Sequence, residues 1–536
     1  MNGKPLFALA LVCWLAGVRA AGETFQTDIC IFGGTAAGVI AAVQAASMGK
    51  TGLVVEPGKH LGGLTAGGLG WTDIGNKAAI GGLSREFYRR LGRHYGKEEA
   101  WTFAPGVAER EFNSLLAEAK VPVHFQQRLA TVSKDGARIV EIVMETGDVF
   151  RAKMFIDATY EGDLMAKAGV AYFVGREANR VYGETLDGIR STTPKHQFIV
   201  PVDPYVKPGD PASGLLPLVQ AVALGDAGEG DKTVQAYNLR LCLTKNPANR
   251  RPIEPPADYD PARYELLGRY FDALAAAQKP VLLKNFLKLD MVTADKTDIN
   301  NNGPFSTDFI GMNYDYPDAD YATRERIFND HLNYTKGLLI YLATSPRVPA
   351  AVRAEMQAWG LCRDEFPDTG GWSHQLYVRE ARRMISDCVM TEKNCRRTEV
   401  VSDSIGLAAY NMDSHNCRRL VRNGHVENEG DVQVPPMSPY LISFRAILPK
   451  AAQCENLLVP VCLSASHIAY GSIRMEPVFM LLGQSAATAA ALAIDDSVPV
   501  QKVGYEKLRA QLLADRQILE WPAASSGTKK TRAPEN

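Results

Sequence analysis

The sequence shows no excess of one charge and, after its first 20 residues, no long apolar segment. Its 536 residues contain 59 Lys and Arg against 60 Asp and Glu. The formal net charge of −1 therefore gives no electrostatic reason to expect nucleic acid or an anionic membrane as a partner. Since no later segment has about 18 consecutive apolar residues, no membrane span is predicted.

Paired-cysteine and zinc-binding motifs are also missing. Of the nine cysteines, those after Cys13 form neither a Cys-x-x-Cys pair nor a His/Cys spacing typical of zinc. No metal site is predicted. Cys388 and Cys395 are a weak candidate for a disulfide, and Cys30 is expected to be a buried apolar residue of a strand.

The first 20 residues have the pattern of a secretory signal peptide. Lys4 supplies a positive charge, residues 6–18 form an apolar run, and Val18-Arg19-Ala20 fits a small-residue cleavage site. Because no twin arginine precedes the run, Sec-type export to the periplasm or the exterior is predicted, with cleavage near Ala20.

Residues 28–56 have the pattern of a dinucleotide-binding βαβ unit: a short apolar strand, a glycine turn, an alanine-rich helix to about Met48, and a second strand that ends at Glu56. Gly33 permits the tight turn, the helix N-terminus attracts a pyrophosphate, and Gly38 allows close packing of helix on strand. Thr35 replaces the second glycine of G-x-G-x-x-G. The pattern predicts a bound dinucleotide, with its ribose hydroxyls on Glu56; a purely structural βαβ unit is the alternative.

Two further segments are expected near this ligand. The glycine-dense residues 60–70 are too flexible for regular structure and too apolar for a solvated linker, which favours a backbone lying against a flat ligand; a surface loop is the alternative. A strand ending at Asp157 continues through Ala158-Thr159 into a helix from about Leu164. This is a second strand-to-helix site beside the dinucleotide.

A late segment gives another signal. A strand at 456–461 precedes a polar loop at 464–477 and a helix at 478–493 that is rich in Gly and Ala. Pro477 suits the first turn of that helix. In two-domain flavoproteins such a helix points its N-terminus at the flavin pyrimidine ring, where it stabilises the negative charge of the reduced ring.

Together these segments resemble the bacterial secreted FAD-dependent oxidoreductase family, some members of which bear the name xanthan lyase. The resemblance covers about residues 27–500 and rests on GGTAAG with Glu56, HLGGLTAGGLGWTD (60–73), DATYEGDLMA (157–166), YVREARR (377–383), DSIGLAAYNMDSH (403–415) and SASHIAYGSIRMEP (464–477). Nothing in these residues suggests lyase chemistry. A threonine at the position of Thr35 is usual in this family.

The resemblance implies an α/β fold, with a Rossmann-like FAD-binding domain of the glutathione-reductase type and an inserted α+β substrate domain. The predicted divisions are the signal peptide (1–20), the FAD-binding domain (27–178 and 372–500), the substrate or cap domain (179–371) and a disordered tail (523–536). Within the insertion we predict strands at 198–202 and 237–243 and helices at 264–277 and 320–343.

FAD is the predicted cofactor. The first turn, Glu56 and the late helix do not by themselves separate FAD from NAD, but the late helix and the lack of a second Rossmann turn favour FAD alone. The predicted cofactor-binding residues, most of them implied by the resemblance, are Gly33, Gly34, Thr35, Ala36, Ala37, Gly38, Glu56, Pro57, Gly62, Gly63, Leu64, Thr65, Leu129, Ala158, Thr159, Gly471, Met475, Glu476 and Gly483.

The candidate catalytic residues are polar side chains expected around the flavin. His467, in a loop expected to enter the late helix, is a candidate base; a structural histidine bound to backbone is the alternative. Arg474 is a candidate for stabilising reduced flavin or an anionic substrate, or is simply ion-paired. His374 and Arg379 lie on a predicted strand-to-helix passage and complete the set.

Candidate substrate residues come from polar stretches that ordinary loops also contain. Tyr237, Asn238 and Arg240 alternate on a predicted strand, and Asn411 and His415 lie in an irregular polar stretch that also contains Asp413. A further polar loop holds Asn300 to Asn302 and Asp308.

The sequence thus predicts an exported oxidoreductase that dehydrogenates a hydroxyl-bearing carbon of a carbohydrate-derived small molecule by hydride transfer to flavin N5. A flavin-dependent reductase of an activated double bond and a non-redox FAD-containing binding protein are the alternatives. The electron acceptor is not identified by any motif.

Overall fold

The computed structural model describes residues 22–522. The predicted signal peptide and the predicted disordered tail both lie outside the described residues.

Strands of the described chain are short outside its N-terminal third. They are β1 (Thr24–Phe32), β2 (Gly52–Val55), β3 (Val123–His124), β4 (Leu129–Asp135), β5 (Arg138–Met144), β6 (Val149–Asp157), β7 (Tyr172–Phe173), β8 (Leu243–Thr244), β9 (Arg250–Arg251), β10 (Leu287–Met291), β11 (Thr297–Asn301), β12 (Gly360–Cys362), β13 (Arg383–Met384), β14 (Ser404–Ala408), β15 (Met412–Ser414), β16 (Arg418–Arg422), β17 (His425–Glu429), β18 (Val432–Val434), β19 (Tyr440–Ser443) and β20 (Leu457–Leu458).

Helices are longest in the middle and near the C-terminus of the described chain. They are α1 (Ala36–Ser47), α2 (Gly63–Ala66), α3 (Gly82–His94), α4 (Pro105–Ala119), α5 (Asp163–Lys167), α6 (Asn179–Tyr182), α7 (Glu265–Ala276), α8 (Tyr321–Thr344), α9 (Ala350–Ala358), α10 (Glu392–Cys395), α11 (His467–Ile473), α12 (Glu476–Asp496) and α13 (Tyr505–Ala514), together with short 3₁₀ turns.

The main sheet confirms the predicted Rossmann-type α/β fold. Its strand order is β3-β2-β1-β6-β5-β4, and β20 also pairs with β6. The pairs β1–β2, β1–β6, β2–β3 and β6–β20 are parallel, whereas β4–β5 and β5–β6 are antiparallel. Phe32 is in register with Val55 on one side and Asp157 on the other. The residues that follow these three strands therefore meet at one edge, where doubly wound sheets bind their ligands.

Two apolar helices pack together against the main sheet. Every residue of α12 from Glu476 to Ala493 is buried, and most of α1 is buried as well. A Cβ added at Gly483 would lie 2.3 Å from the carbonyl oxygen of Ala37, so α12 touches the backbone of α1. By length and composition α12 could span a membrane, but 94% of its apolar window is buried inside the protein, as in a core helix.

Residues 179–371 contain the two predicted helices but not all of the predicted strands. Helices α7 and α8 confirm the amphipathic patterns at 264–277 and 320–343, and Asp320 caps α8 by accepting the Thr323 N–H at 2.8 Å. No strand forms at 198–202. Residues 237–242 make only isolated bridges, from Leu239 to Leu376 and from Leu241 to Ile299, and Leu243 begins β8.

Three local predictions are corrected by the structure. Residues 377–382 form no helix; this buried segment is held by long-range bonds such as the Tyr377 N–H to the Asn238 carbonyl, and β13 follows it. The glycine-dense run contains the short helix α2. Cys388 and Cys395 are free thiols, and the nearest described sulfur pair is Cys242 and Cys362, at 3.7 Å.

Candidate functional site

The turn after β1 is as tight as the sequence pattern requires. Gly33 has φ +103°, a left-handed conformation that favours glycine, and its N–H donates to the Val55 carbonyl at 2.8 Å. A Cβ added at Gly38 would lie 1.9 Å from the Gly33 carbonyl oxygen, so the first turn of α1 rests directly on the loop. The unpaired N–H groups at the start of α1 and its positive dipole end favour a phosphate here.

Thr35 has a structural role that explains why it replaces glycine. Its hydroxyl donates to the Ala158 carbonyl at 2.7 Å and accepts the Gly38 N–H at 3.3 Å, so it caps α1 and ties the turn to β6. Its φ of −64° needs no glycine. The departure from G-x-G-x-x-G therefore preserves the turn.

Glu56 lies at the end of β2, beside the turn. Its carboxylate accepts the Gly34 N–H at 2.6 Å and the Gly58 N–H at 2.5 Å. Burial raises the pKa of Glu56 to about 7, although these two N–H groups work in the opposite direction. A carboxylate at this position can bind a ribose diol.

A cavity of about 380 Å³ opens at this edge of the sheet, a volume within the range of small-molecule sites. Many of its lining residues are predicted cofactor ligands: Gly33, Gly34, Thr35, Glu56, Pro57, Gly63 and Thr159. Its other walls, which the sequence did not single out, include Arg128, Tyr316, Tyr321, Arg324 and Phe328. Leu129 borders the cavity, since it follows Arg128 and donates its N–H to the Tyr321 hydroxyl at 3.1 Å.

The glycine-dense segment lies directly against the first turn. The Gly62 N–H donates to the Gly34 carbonyl at 2.7 Å. From α2, the Leu64 N–H donates to the Tyr160 hydroxyl at 2.8 Å and the Thr65 hydroxyl donates to Glu476 at 2.7 Å. Together these bonds join the turn, the second glycine segment and the start of α12 into one wall.

Glu476 is the buried centre of that wall. Its carboxylate accepts the hydroxyls of Thr65 and Tyr160, at 2.7 and 2.8 Å, and burial raises its pKa to about 7. Met475 is the N-cap of α12 and Glu476 its first residue. Direct cofactor contacts of these two residues stay predictions.

Two of the predicted cofactor residues are glycines that serve as packing sites. Gly483 faces the Ala37 carbonyl, as described above, and a Cβ at Gly471 would lie 2.4 Å from the Asp413 carbonyl oxygen. Ala36, Ala37 and Gly38 form the buried first turn of α1. The glycine at 483 of the late helix is thus accounted for by the approach of α1.

A second polar centre, which we call the His415 cluster, comprises His415, Asp308, Asp413, Arg379, Arg474 and Tyr377. His415 Nδ1 lies 2.7 Å from Asp308 Oδ2, and its Nε2 lies 3.5 Å from Asp413 Oδ2. Arg379 pairs with Asp308 at 3.2 Å and Arg474 with Asp413 at 2.7 Å. The two arginines that were predicted as catalytic thus belong to the same cluster as His415, which the sequence predicted only as a substrate contact.

Tyr377 joins the arginines of this cluster. Its hydroxyl accepts a hydrogen bond from Arg474 Nη1 at 3.3 Å, and the Arg379 guanidinium lies 4.3 Å from its ring centroid. Arg240, predicted as a substrate residue, lies 5.6 Å from the same centroid and is bonded to Asp298. The strand-like segment 237–243 therefore contributes to this region through Arg240.

The charges of the cluster favour an ionised histidine. Burial and the positive charge of Arg379 oppose protonation, but the carboxylates of Asp308 and Asp413 outweigh them and raise the pKa of His415 above its ordinary value. Burial alone would raise the pKa of Asp413, but the hydrogen bond and charge of His415 and the charge of Arg474 lower it to about 2. The His415 side chain is 11% exposed and that of Asp413 is 16% exposed. Both side chains are thus partly exposed to solvent.

His467 has a different environment from the one that the sequence suggested. It is the first residue of α11, capped by Ser466, rather than part of a loop. Its Nδ1 lies 2.7 Å from Glu380 Oε2 and its Nε2 lies 3.0 Å from Ser414 Oγ. Burial, followed by the charges of Arg383 and Arg176, lowers its pKa to about 3. Its catalytic role stays a prediction; both ring nitrogens contact side chains and not the backbone expected of the structural alternative.

The remaining predicted residues are distributed between the two centres. His374 lines the cofactor cavity and not the His415 cluster. Tyr237 is buried and donates to the Glu380 carbonyl, and Asn238 donates to Asn300 and Thr307, both at 3.1 Å. Asn411 is half-buried beside the cluster. Asp308 belongs to a loop far from His415 in sequence, and no local pattern connected the two.

The cavity fits a dinucleotide by its own construction. It combines a helix N-terminus pressed against a glycine turn, a carboxylate at the end of the adjacent strand and a wall made by a second glycine segment. When the cofactor is bound, Gly33 to Gly38 would hold its phosphates and Glu56 its ribose.

Comparison with solved structures gives short and distant similarities. A 3-ketosteroid dehydrogenase from Rhodococcus jostii RHA1 is 17% identical over 29% of this chain and 50% of its own, with a TM-score of 0.20. A THI4 protein from Thermovibrio ammonificans is 22% identical over 28% of this chain and 66% of its own, with a TM-score of 0.22. The L-amino acid deaminase from Proteus vulgaris is 13% identical over 31% and 55%, with a TM-score of 0.24. The chain thus spans about half of the ketosteroid enzyme's length.

Among curated proteins no relative matches this sequence. The sequence model of the family described as FAD dependent oxidoreductase, in contrast, matches residues 28–512, which include both the cofactor cavity and the His415 cluster. The protein is therefore a member of the FAD-dependent oxidoreductase family and an FAD-binding enzyme.

Proposed function

We propose that this enzyme dehydrogenates a hydroxyl-bearing carbon of a carbohydrate-derived small molecule, and that His415 accepts the hydroxyl proton. The observation that supports this most is a histidine held by two carboxylates at a partly exposed polar centre. When bound, FAD supplies the hydride acceptor; the protein must supply the base and orient the substrate.

The hydrogen bonds of His415 suit a general base. Asp308 lies at hydrogen-bond distance from Nδ1, 2.7 Å, and so favours the tautomer with its proton on that nitrogen. The contact of Nε2 with Asp413 is long, 3.5 Å, and the Asp413 side chain is partly exposed. A substrate hydroxyl can therefore replace Asp413 as the partner of Nε2.

The arginines of the cluster position these carboxylates. Arg379 is anchored by the Ala236 carbonyl, to which it donates at 2.6 Å, and pairs with Asp308. Arg474 donates to the Tyr377 hydroxyl and holds Asp413. Both arginines favour the charged forms of the two aspartates, which in turn stabilise the protonated histidine that forms when a hydroxyl loses its proton.

A polyol is the substrate class that we favour. Around the cluster, Asp73, Tyr410, Asn411 and Asp413 are only partly buried, and the Tyr410 hydroxyl donates to Asp73 at 3.0 Å. Carboxylate, amide and phenol groups at a solvent-reachable centre can exchange hydrogen bonds with several sugar hydroxyls. The carbohydrate assignment rests additionally on the family resemblance.

The test is a comparison of two histidine variants by anaerobic stopped-flow absorbance. We expect His415→Asn to retain FAD but to reduce its flavin roughly 10²–10⁴-fold more slowly than the wild type with a sugar or polyol that bleaches the wild-type spectrum. His425→Asn, at an exposed position of β17, is the matched control and should behave as wild type. An unchanged rate in His415→Asn would remove His415 from the reaction, and His467→Asn would then be measured as the alternative base.

The second candidate function is reduction of an activated double bond, and one observation favours it. Burial lowers the pKa of the Arg379 guanidinium, which makes this arginine a better proton donor than an exposed one. A reductase would leave its oxidised spectrum unchanged with polyols, and its photoreduced flavin would be reoxidised anaerobically by an unsaturated acid. A protein that uses FAD only for structure would respond to neither compound.

Export and electron transfer complete the proposal. The N-terminal pattern supports a mature enzyme that begins near Ala21 outside the cytoplasm and passes its electrons to an acceptor there. N-terminal sequencing of protein recovered from periplasm and medium tests this. Recovery only from cytosol, with Met1 intact, would contradict it.

A further inference from the structure

We propose that His374 is a phosphate-binding residue of the FAD cavity, donating a hydrogen bond to the cofactor's diphosphate and taking up a proton when the cofactor binds. This role differs from the catalytic one predicted from the sequence. It depends on FAD binding, which the family membership establishes, and not on the proposed reaction.

His374 is a half-buried residue whose two ring nitrogens lack hydrogen-bond partners in the described protein. It lines the same cavity as Gly33, Gly34 and Thr35. Both of its ring nitrogens are buried, and neither has a hydrogen-bond partner within residues 22–522. Since buried polar groups are nearly always bonded, an imidazole in this state indicates a ligand that completes it.

A second histidine fixes the position of this ring. His60 stacks on His374 with a centroid separation of 3.7 Å and an interplanar angle of 11°. The nitrogens of His60 are themselves engaged, with Glu109 at 2.8 Å and Asp368 at 3.0 Å, and these carboxylates raise its pKa. Phe366 meets His374 edge-on at 5.6 Å. Of the two stacked rings, His374 is thus the one whose nitrogens are left for a ligand.

The stack lies at the phosphate end of the cavity. His60 precedes Gly62 by two residues, and the Gly62 N–H is bonded to the carbonyl of Gly34 in the first turn. That turn leads into the N-terminus of α1, where the helix dipole favours an anion. A diphosphate at α1 would consequently lie near the His374 ring.

The other cations of the cavity are either paired with a carboxylate or exposed at its rim. Arg324 makes two bonds to Asp163, at 2.6 and 2.9 Å. Arg128 lies 3.5 Å from Glu325. Lys59 is exposed at the rim. Because Glu56 and Glu161 also line the cavity, a bound diphosphate needs positive charge in addition to the dipole of α1.

The charge state of His374 can change when an anion binds. In the free protein, burial and the neighbouring charge of His60 lower its pKa to about 4, against the opposing effect of Glu109 and Asp368. The ring is therefore neutral near pH 7, and a diphosphate beside it would raise its pKa. Since the bound state then holds more protons, FAD affinity should increase as the pH falls.

The test measures ligand binding to FAD-depleted protein by calorimetry in buffers of different ionisation enthalpy. ADP-ribose, whose diphosphate is a diester like that of FAD, is compared with adenosine, which has no phosphate. We expect the wild type to take up more protons with ADP-ribose than with adenosine. Groups that contact only the ribose, such as Glu56, contribute to both titrations and cancel in the difference.

The variant His374→Gln should weaken FAD and ADP-ribose roughly 10- to 100-fold, the effect of losing a hydrogen bond to a charged group, and leave adenosine unchanged. The exposed His425→Gln is the control. Equal weakening of adenosine and ADP-ribose would show a merely structural role and overturn the proposal. If His374→Gln does not fold, the wild-type proton difference still decides, because equal uptake with both ligands also refutes it.

Discussion

Replacement of Gly38 by alanine tests the packing on which the cofactor cavity depends. A Cβ at this position would lie 1.9 Å from the Gly33 carbonyl oxygen, whereas real Cβ atoms essentially never approach closer than 3.0 Å. Helix α1 must therefore retreat by at least about 1.1 Å, the difference between these two distances. The far side of α1 offers little room, because Gly483 of α12 already lies against the Ala37 carbonyl.

Two losses follow from this displacement. Overpacking of a buried contact costs about 1–3 kcal/mol of the free energy of unfolding. A shift of this size also moves the N–H groups at the start of α1 away from the cofactor's phosphates. Loss of one hydrogen bond to a charged group should weaken FAD binding roughly 10- to 100-fold.

The matched control is Gly52→Ala in the same βαβ unit. There an added Cβ would lie 3.7 Å or more from its neighbours, which is ordinary contact. FAD affinity is measured by fluorescence titration of depleted protein, and stability by thermal unfolding without cofactor. If Gly38→Ala matches Gly52→Ala in both measurements, the inferred contact between α1 and the turn is wrong.

Four further outcomes are expected. Thr35→Val should lower the unfolding free energy by about 1 kcal/mol in denaturant titration, since it removes the cap of α1; no change would contradict the capping role. In the cofactor-free protein, Glu56 keeps its proton to about pH 7 when folded but only to about 4.5 when unfolded, so its contribution to stability should fall as the pH rises through this window. Glu56→Gln should therefore make the decline of the melting temperature across this window shallower, with Glu476 supplying part of the remainder. Arg324→Met should destabilise by about 1–3 kcal/mol in urea, because it removes two bonds from buried Asp163, and a neutral result would refute that pairing. The rate of flavin reduction should rise with pH through the raised pKa of His415 if the neutral ring is the base, whereas a rate that falls over this range would favour an acid role.

The cofactor site could be predicted from the sequence because its chemistry is local. Strand β1, the turn, α1 and the acid at the end of β2 lie within residues 24–56, and each follows from glycine placement, apolar runs and the spacing of a βαβ unit. The partner strand β6 and helix α12 were also recognisable as single elements. The role of Thr35 was not, since its hydroxyl acts on Ala158, 123 residues away.

The histidine assignments show what sequence alone could not decide. Both His415 and His467 stand in polar stretches with small neighbours, and the sequence favoured His467 because it precedes the late helix. The structure places Glu380 and Ser414, 87 and 53 residues away, on the two nitrogens of His467. It leaves Nε2 of His415 with a long contact of 3.5 Å to Asp413.

The amino-acid sequence by itself determined the family, the cofactor and the βαβ unit, because turn geometry and helix polarity act between residues close in the chain. Only the tertiary structure decided which polar side chains meet. Asp308 reaches His415 across 107 residues, and the rings of His60 and His374 stack although they belong to different halves of the described chain. Such pairs depend on how irregular segments that are distant in the chain pack against one another, and no local periodicity encodes that packing.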